Sequence, residues 1–180
     1  MQFLRRIKNS IFSLIILIFL VISFFIFKSS LEKEKIYSPK MSDNNIFTDF
    51  RVQTLVEEKT INFEKFLSGK NFYLINIWSS WCEPCRDESY KLLELKNDTT
   101  IMMIGINYKD KKKNALNFLK LYGNPFEEIF VDKQGTISIN FGAYGVPETF
   151  LINNDNKVLK KYIGPLNDED VYEIKKITKN

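Results

Sequence analysis

Hydrophobic residues in the middle of the chain form short continuous runs, each followed by an amphipathic segment. Residues 72–78 (FYLINIW) and 101–107 (IMMIGIN) are rich in β-branched and aromatic side chains, which is typical of buried strands. After each run, apolar residues recur at helical spacing, and the second such segment ends at Gly123 and Pro125. This alternation predicts a parallel βαβα unit with right-handed crossovers.

The pattern predicts shorter elements before and after this unit. Residues 154–156 (NDN) are turn formers, and the alternating segment that follows them predicts a hairpin. Together these elements predict an α/β fold, in which helices flank a central mixed sheet. The additional elements are an edge strand at 50–56, a strand at 128–131, a short helix or turn at 136–141, strands at 149–153 and 157–163, and an amphipathic helix at 167–179.

The amino-terminal segment has a different composition from the rest of the chain. Residues 9–27 contain no charge, and all but four polar residues are Ile, Leu, Phe or Val. A helix of this length reaches about 28 Å, close to the hydrocarbon thickness of a bilayer. We therefore expect one N-terminal transmembrane helix. It is expected to be an uncleaved signal anchor, because the run is long and no small-x-small site follows; a cleaved signal peptide is the alternative.

We expect three regions along the chain. They are an N-terminal cytoplasmic tail and anchor at 1–28, a polar tether at 29–45 and a folded domain at 46–180. Positive charges lie on both sides of the apolar run, so charge bias does not fix the topology. A short tail before a first apolar segment is typical of proteins whose body is exported, which predicts a domain outside the cytoplasm.

Charge and composition exclude several classes of function. All of the net charge of +4 lies within residues 1–28, so the remaining chain is balanced and has no bulk electrostatic reason to bind nucleic acid. The chain has no histidine, which excludes Ser-His-Asp and Cys-His hydrolases and His-ligated metal or haem. Two cysteines cannot complete a Cys-only zinc site within one chain. We therefore expect neither a metal nor a cofactor.

Cys82 and Cys85 form a Cys-x-x-Cys motif where the strand at 72–78 passes into a helix. Chemistry collects at this end of the strands in open α/β sheets. The helix N-terminus stabilises a thiolate at Cys82, whereas Cys85 lies one turn deeper and keeps its proton. The pattern predicts a redox-active pair in which Cys82 attacks and Cys85 resolves. An inert disulfide and half of a zinc site shared between two chains are the alternatives.

Two residues next to the cysteines also fit this interpretation. Pro84 falls in the first helical turn, where it costs no hydrogen bond and fixes the backbone between the sulfurs. Trp81 is expected to shield one side of the disulfide; packing in the core is the alternative, and both can hold.

The sequence resembles the thioredoxin-fold family and, within it, the membrane-anchored cytochrome c maturation reductases known as CcmG/DsbE. YGVPETF is far more specific than the Cys-x-x-Cys motif, and the resemblance extends over roughly residues 50–180, with a similar anchor. The segments that carry it are 76–88 (NIWSSWCEPCRDE), 105–110 (GINYKD), 121–126 (LYGNPF) and 141–153 (FGAYGVPETFLIN).

The resemblance implies a thioredoxin-like fold and a disulfide reductase in the bacterial inner membrane with its catalytic domain in the periplasm. Its implied substrate is apocytochrome c or the thiol protein that escorts it, and its implied electron donor is a membrane dithiol carrier. Pro147 is then expected to be cis and to align an incoming strand, with Glu148 beside the site. Glu83 and Pro84 between the cysteines depart from most members, so the reduction potential is not carried over.

Another carboxylate, or water, must accept the proton of Cys85. The aspartate of ordinary thioredoxins aligns with Asn76 here, and an amide cannot accept a thiol proton. Glu88 shares the helix face of Cys85, so we expect a partly buried Glu88 with a raised pKa to take this proton. Glu148 is a second candidate, and solvated carboxylates are the alternative for both.

The residues between and after the cysteines predict the direction of the reaction. The Glu83 anion disfavours the Cys82 thiolate, and Arg86 partly offsets this effect, which predicts a reducing couple. Two other functions stay open: a general periplasmic thioredoxin-like reductase or isomerase, and a non-catalytic anchored module that binds peptides with the loop at Pro147.

Overall fold

The computed structural model describes residues 2–32, 50–67 and 69–179. By its internal contacts the chain divides into two units, residues 1–40 and 41–180, and each is described by itself. In the first unit, helix α1 (Gln2–Glu32) contains Ile11–Lys28, which is long and apolar enough to cross a membrane. A signal sequence near the N-terminus can meet the same criteria of length and composition.

The boundaries of the three expected regions are only partly covered by the described residues. The predicted tether at 29–45 begins inside α1, which continues to Glu32. The rest of that tether lies outside the described residues. The division at residues 28 and 45 therefore stays a prediction.

The described residues of the second unit form a seven-stranded mixed sheet with the spatial order β2-β1-β5-β4-β3-β6-β7. Strands β3, β4 and β5 are parallel neighbours, and the remaining pairs are antiparallel. The predicted α/β fold with a mixed sheet is confirmed. The strands are β1 (Arg51–Thr54), β2 (Thr60–Asn62), β3 (Phe72–Trp78), β4 (Ile101–Tyr108), β5 (Glu128–Asp132), β6 (Glu148–Asn153) and β7 (Val158–Ile163).

Two helices of this unit have boundaries that the sequence pattern predicts. Helix α4 ends before Gly123, whose φ of 89° suits a residue without a Cβ. Helix α6 begins after Asn167, which forms a capping box with Asp170. The helices are α2 (Phe63–Phe66), α3 (Glu83–Leu95), α4 (Lys112–Tyr122), α5 (Thr136–Asn140) and α6 (Asp168–Thr178).

Both faces of the sheet are covered, so its central strands are buried on both sides. Alternate residues of β3 divide between the two faces: Leu74 and Trp78 pack in the cluster that contains both cysteines, whereas Ile75 and Ile77 pack in the other cluster. A polar residue on β3 therefore lies on a defined face, and Asn76 shares the face of the cysteines.

The expected position of the strand at 50–56 is wrong. Strand β1 pairs with β5 on one side and with β2 on the other, so β2 is the edge strand at this end of the described sheet. The pattern did not reveal β2 or α2, because both are too short to show a period. Helix α2 is instead fixed by its cap, since Asn62 accepts a hydrogen bond of 3.0 Å from the Lys65 amide.

Candidate active site

Cys82 and Cys85 are joined by a disulfide at the amino terminus of α3, with their Cα atoms 5.3 Å apart. Cys82 is the N-cap residue, and its Sγ accepts a hydrogen bond of 3.1 Å from the Cys85 amide. Pro84 lies in the first turn of α3, as expected, where its missing N–H is not needed. Helix α3 therefore begins directly after Cys82, the cysteine that is expected to attack the substrate.

The disulfide is buried while its flanking residues are exposed. Cys82 and Cys85 are 4% and 2% exposed, so the expected difference in depth is small in the oxidised protein. Trp81 is 59% exposed, and its Nε1 donates a hydrogen bond of 3.2 Å to the Lys109 carbonyl. The alternative in which Trp81 packs in the core is wrong, because its ring lies on the surface beside the pair.

Asp110 ties the segment before Cys82 to the loop that follows β4. Its carboxylate accepts hydrogen bonds of 2.6 and 2.8 Å from the amide and hydroxyl of Ser80, and one of 3.1 Å from the Asn107 side chain. Asp110 was not among the predicted site residues, although it stands at the end of the GINYKD segment. That motif is the signal from which it could have been found.

Asn76 and Glu88 form a buried polar pair between β3 and α3. Asn76 Nδ2 donates hydrogen bonds of 2.9 Å to Glu88 Oε1 and of 2.9 Å to Thr149 Oγ1. Glu88 Oε2 accepts a hydrogen bond of 3.0 Å from the Leu166 amide. Burial raises the pKa of Glu88 from 4.5 to about 7, although the bonds from Leu166 and Asn76 oppose this rise. The expected burial and raised pKa are confirmed, and a solvated Glu88 is wrong.

A small cavity of about 10 Å³ lies between Asn76 and Cys85. Asn76, Cys85 and Ser89 are among the residues that line it. Ser89 Oγ donates a hydrogen bond of 3.0 Å to the Cys85 carbonyl. Cys85, which is expected to resolve the mixed disulfide, therefore lines the same cavity as Asn76, whose side chain donates to Glu88.

Pro147 lies at the same edge of the sheet as the disulfide. The Val146–Pro147 peptide bond is cis, which confirms the expectation, and Pro147 is buried. In the antiparallel register Ile77 faces Glu148, which places Pro147 beside the carboxyl end of β3. Because β3 leads directly to the cysteines, the loop that ends at Pro147 borders the redox pair.

Glu148 is buried but faces away from the cysteine cluster. Its neighbour Thr149 contacts Asn76, and successive residues of a strand point to opposite faces. Glu148 Oε1 accepts hydrogen bonds from the amides of Tyr144 (2.6 Å) and Gly145 (2.8 Å). A solvated Glu148 is therefore wrong, and its contacts hold the loop rather than reach Cys85.

The sequence pattern of one known family, described as Redoxin, matches residues 41–177 of this chain. The chain belongs to the Redoxin family. Its second unit has the thioredoxin-like α/β fold, which the sequence analysis expected from the resemblance.

Two curated relatives and one solved structure show what this Redoxin-family chain is similar to. It is 46% identical over 92 residues to the thiol:disulfide interchange protein CycY of Rhizobium leguminosarum bv. viciae, covering 51% of this chain and 50% of CycY. It is 37% identical over 118 residues to the thiol:disulfide interchange protein DsbE of Pasteurella multocida (strain Pm70), covering 66% of this chain and 64% of DsbE. The chain thus spans between half and two thirds of the length of these relatives.

The solved structure is a secreted Mycobacterium tuberculosis disulfide oxidoreductase described as homologous to E. coli DsbE. Its TM-score is 0.62 at 17% identity, covering 72% of this chain and 96% of that chain. At this identity the likeness shows the shared fold.

Proposed function

We propose that this chain is a membrane-anchored thiol-disulfide oxidoreductase that reduces disulfides during cytochrome c maturation. One observation carries the proposal: the Cys82–Cys85 disulfide lies at a helix N-terminus, next to a loop that ends in a cis proline, Pro147. The relatives CycY and DsbE are both named thiol:disulfide interchange proteins, which supports the same chemistry.

The reaction proceeds through a mixed disulfide. In the reduced protein, the Cys82 thiolate attacks one sulfur of the substrate disulfide, and the other substrate sulfur leaves as a thiolate. Cys85 then loses its proton and attacks the Cys82 sulfur, which forms the Cys82–Cys85 bond and releases the second substrate thiolate. Two electrons pass to the substrate, whose two sulfurs take up two protons. An external dithiol must afterwards reduce the pair again.

Glu88 is the group that we assign to accept the Cys85 proton. A pKa of about 7 leaves the carboxyl group partly ionised at neutral pH, which suits a base that must also release its proton. Asn76 donates to Glu88 and lines the same cavity as Cys85, so the acceptor is held by a residue that borders the space beside the thiol. Glu148 does not take this role, because its carboxylate faces the other side of the sheet.

Substrate and donor are assigned by chemistry and by resemblance. We assign as substrate the haem-binding cysteine pair of apocytochrome c, or the thiol protein that escorts it. We assign as electron donor a dithiol carrier in the membrane. The four segments that resemble CcmG/DsbE support both assignments, and the exposed Trp81 ring beside the pair offers a surface for a protein substrate.

The membrane anchor is assigned to residues 9–27. Ile11–Lys28 of α1 has the length and composition of a spanning helix, and its side chains are exposed within its own unit. We propose that this helix lies in the bacterial inner membrane as a single-pass anchor. The redox domain then lies in the periplasm, where substrate disulfides form.

Reduction of a disulfide peptide by the full chain in detergent tests the proposal. The peptide carries an oxidised C-x-x-C-H segment, the haem attachment sequence of c-type cytochromes. The reduced chain should convert it to the dithiol one for one, Cys82→Ser should abolish the reaction, and Cys85→Ser should accumulate the mixed disulfide.

A control peptide of the same composition, with its cysteines far apart in sequence, measures specificity. Faster reduction of the C-x-x-C-H peptide supports the cytochrome c role, and equal rates indicate a general reductase. If neither peptide exchanges with the cysteines, the chain is a binding module and the proposal is wrong.

A further inference from the structure

Lys161 on β7 contacts the loop 144–147, which ends at Pro147, and the residues on either side of this loop. Its Nζ lies 2.7 Å from Glu148 Oε2 and donates a hydrogen bond of 2.8 Å to the Gly142 carbonyl. The same ammonium lies 4.6 Å from the centre of the Tyr144 ring. The Lys161 side chain is only 12% exposed. One largely buried ammonium therefore contacts Tyr144 and two residues that flank the loop, Gly142 and Glu148.

Glu148 links this ammonium to the loop backbone. One carboxylate oxygen pairs with Lys161, and the other accepts the amides of Tyr144 and Gly145 at 2.6 and 2.8 Å. Hydrogen bonds to ionised groups are shorter and stronger than neutral ones, and burial strengthens them further. Residues 143–147 belong to no helix or strand, so these contacts substitute for the regular hydrogen bonds of an element.

We propose that Lys161 is a positioning residue for substrate docking, acting through Glu148 on the loop 144–147. The inference rests on the proposed function, since the loop borders the redox pair at Pro147. Without Lys161, the Glu148 carboxylate would be buried without its counter-charge and would turn toward water, releasing the amides of Tyr144 and Gly145. The loop 144–147 would then adopt several conformations, and an extended substrate segment would meet no single docking surface.

Steady-state kinetics of the full chain with the disulfide peptide test this role. Lys161→Met should raise KM about tenfold, because a misplaced docking loop loses pre-organised geometry, while kcat changes little. The rate with a small aromatic disulfide, which needs no loop, should stay unchanged. Lys161→Arg keeps the positive charge and should restore KM.

Lys160→Met is the matched control. Lys160 is the adjacent lysine of β7, and it pairs instead with Glu173 on α6, at 2.7 Å. Its substitution should leave KM and kcat at the wild-type values. A KM increase of equal size in Lys160→Met would show a general effect of β7 and overturn the assignment.

Hydrogen exchange of the oxidised full chain separates this inference from the proposed function. The Tyr144 and Gly145 amides should exchange faster in Lys161→Met and at the wild-type rate in Lys160→Met. In a Glu148→Gln background, Lys161→Met should change KM less, because the ion pair is already lost. Unchanged exchange in Lys161→Met would overturn the inference. If the wild-type chain reduces no peptide, the proposed function fails, and the exchange rates still decide whether Lys161 holds the loop.

Discussion

The Asn76 amide donates a hydrogen bond of 2.9 Å to Glu88 Oε1, between the central strand β3 and helix α3, which begins after Cys82 and contains Cys85. Asn76 is fully buried and Glu88 is 1% exposed, so neither side chain can find water as a substitute partner. The amide keeps its charge state at every pH, whereas the carboxyl group titrates near neutrality. Asn76 therefore orients the group, and Glu88 supplies the proton chemistry.

Glu88→Gln should slow the resolution of the mixed disulfide. A glutamine keeps the side-chain shape but cannot take the Cys85 proton, and loss of a general base costs about 10²-fold in rate. Single-turnover kinetics should show a mixed disulfide that accumulates, with no inflection near pH 7 in the rate of its decay. Asp87→Asn is the control, because Asp87 is the exposed neighbour on α3. An unchanged resolution rate in Glu88→Gln would remove Glu88 as the acceptor.

Glu88 should also make the stability of the oxidised protein depend on pH. Its pKa is about 7 in the folded protein and 4.5 ordinarily, so the folded state binds more protons between these values. The free energy of unfolding should therefore fall as the pH rises from 4.5 to 7, by about 3 kcal/mol at 1.36 kcal/mol per pH unit. Denaturant unfolding at several pH values measures this change in the free energy of unfolding. Subtracting the pH profile of Glu88→Gln from that of the wild-type protein isolates the contribution of Glu88. If the free energy of unfolding changed with pH equally in the wild-type protein and in Glu88→Gln, the prediction would be wrong.

The sequence predicted the elements that have a clear period or strong end signals. The continuous runs at 72–78 and 101–107 correspond to β3 and β4, and the hairpin around 154–156 connects β6 to β7. The cis proline and the buried Glu88 could also be predicted, the first from a specific motif and the second from its helical spacing to Cys85. These features depend on residues close in sequence.

The partners of the site could not be predicted, because they come from distant segments. Lys161 reaches Glu148 only through the register in which Phe150 pairs with Lys161. The backbone amide of Leu166 donates to Glu88 from a loop 78 residues away. The apolar side chain of Leu166 gives no sign that its amide has this role. The same limit explains why Glu148 was wrongly kept as a second proton acceptor: Lys161, which compensates its charge, lies on another strand.

The Cys82–Cys85 couple should be reducing, with a potential below about −200 mV. Glu83 is exposed in the first turn of α3, and its negative charge disfavours the thiolate that forms on reduction. Glu83→Gln should stabilise the reduced form and raise the potential by about 10 to 20 mV, since a solvent-screened charge has a small effect. Equilibration with a thiol buffer measures both values. Glu94→Gln, at the other end of α3, should not change the potential, and a wild-type value near about −120 mV would indicate a disulfide donor instead.

Gly105 on β4 should tolerate a side chain poorly, because its Cα lies against the buried rings of Trp78 and Phe126. A Cβ at this position would come within 2.9 Å of both the Phe126 ring and Trp78 Nε1, in a core where neither large ring can move freely. Gly105→Ala should therefore lower the free energy of unfolding by about 1 to 3 kcal/mol, the usual cost of overpacking. Gly145→Ala is the matched control, since nothing lies within 4 Å of a Cβ there. Denaturant unfolding of both variants measures the difference, and equal stabilities would show that the core around Trp78 yields to a methyl group.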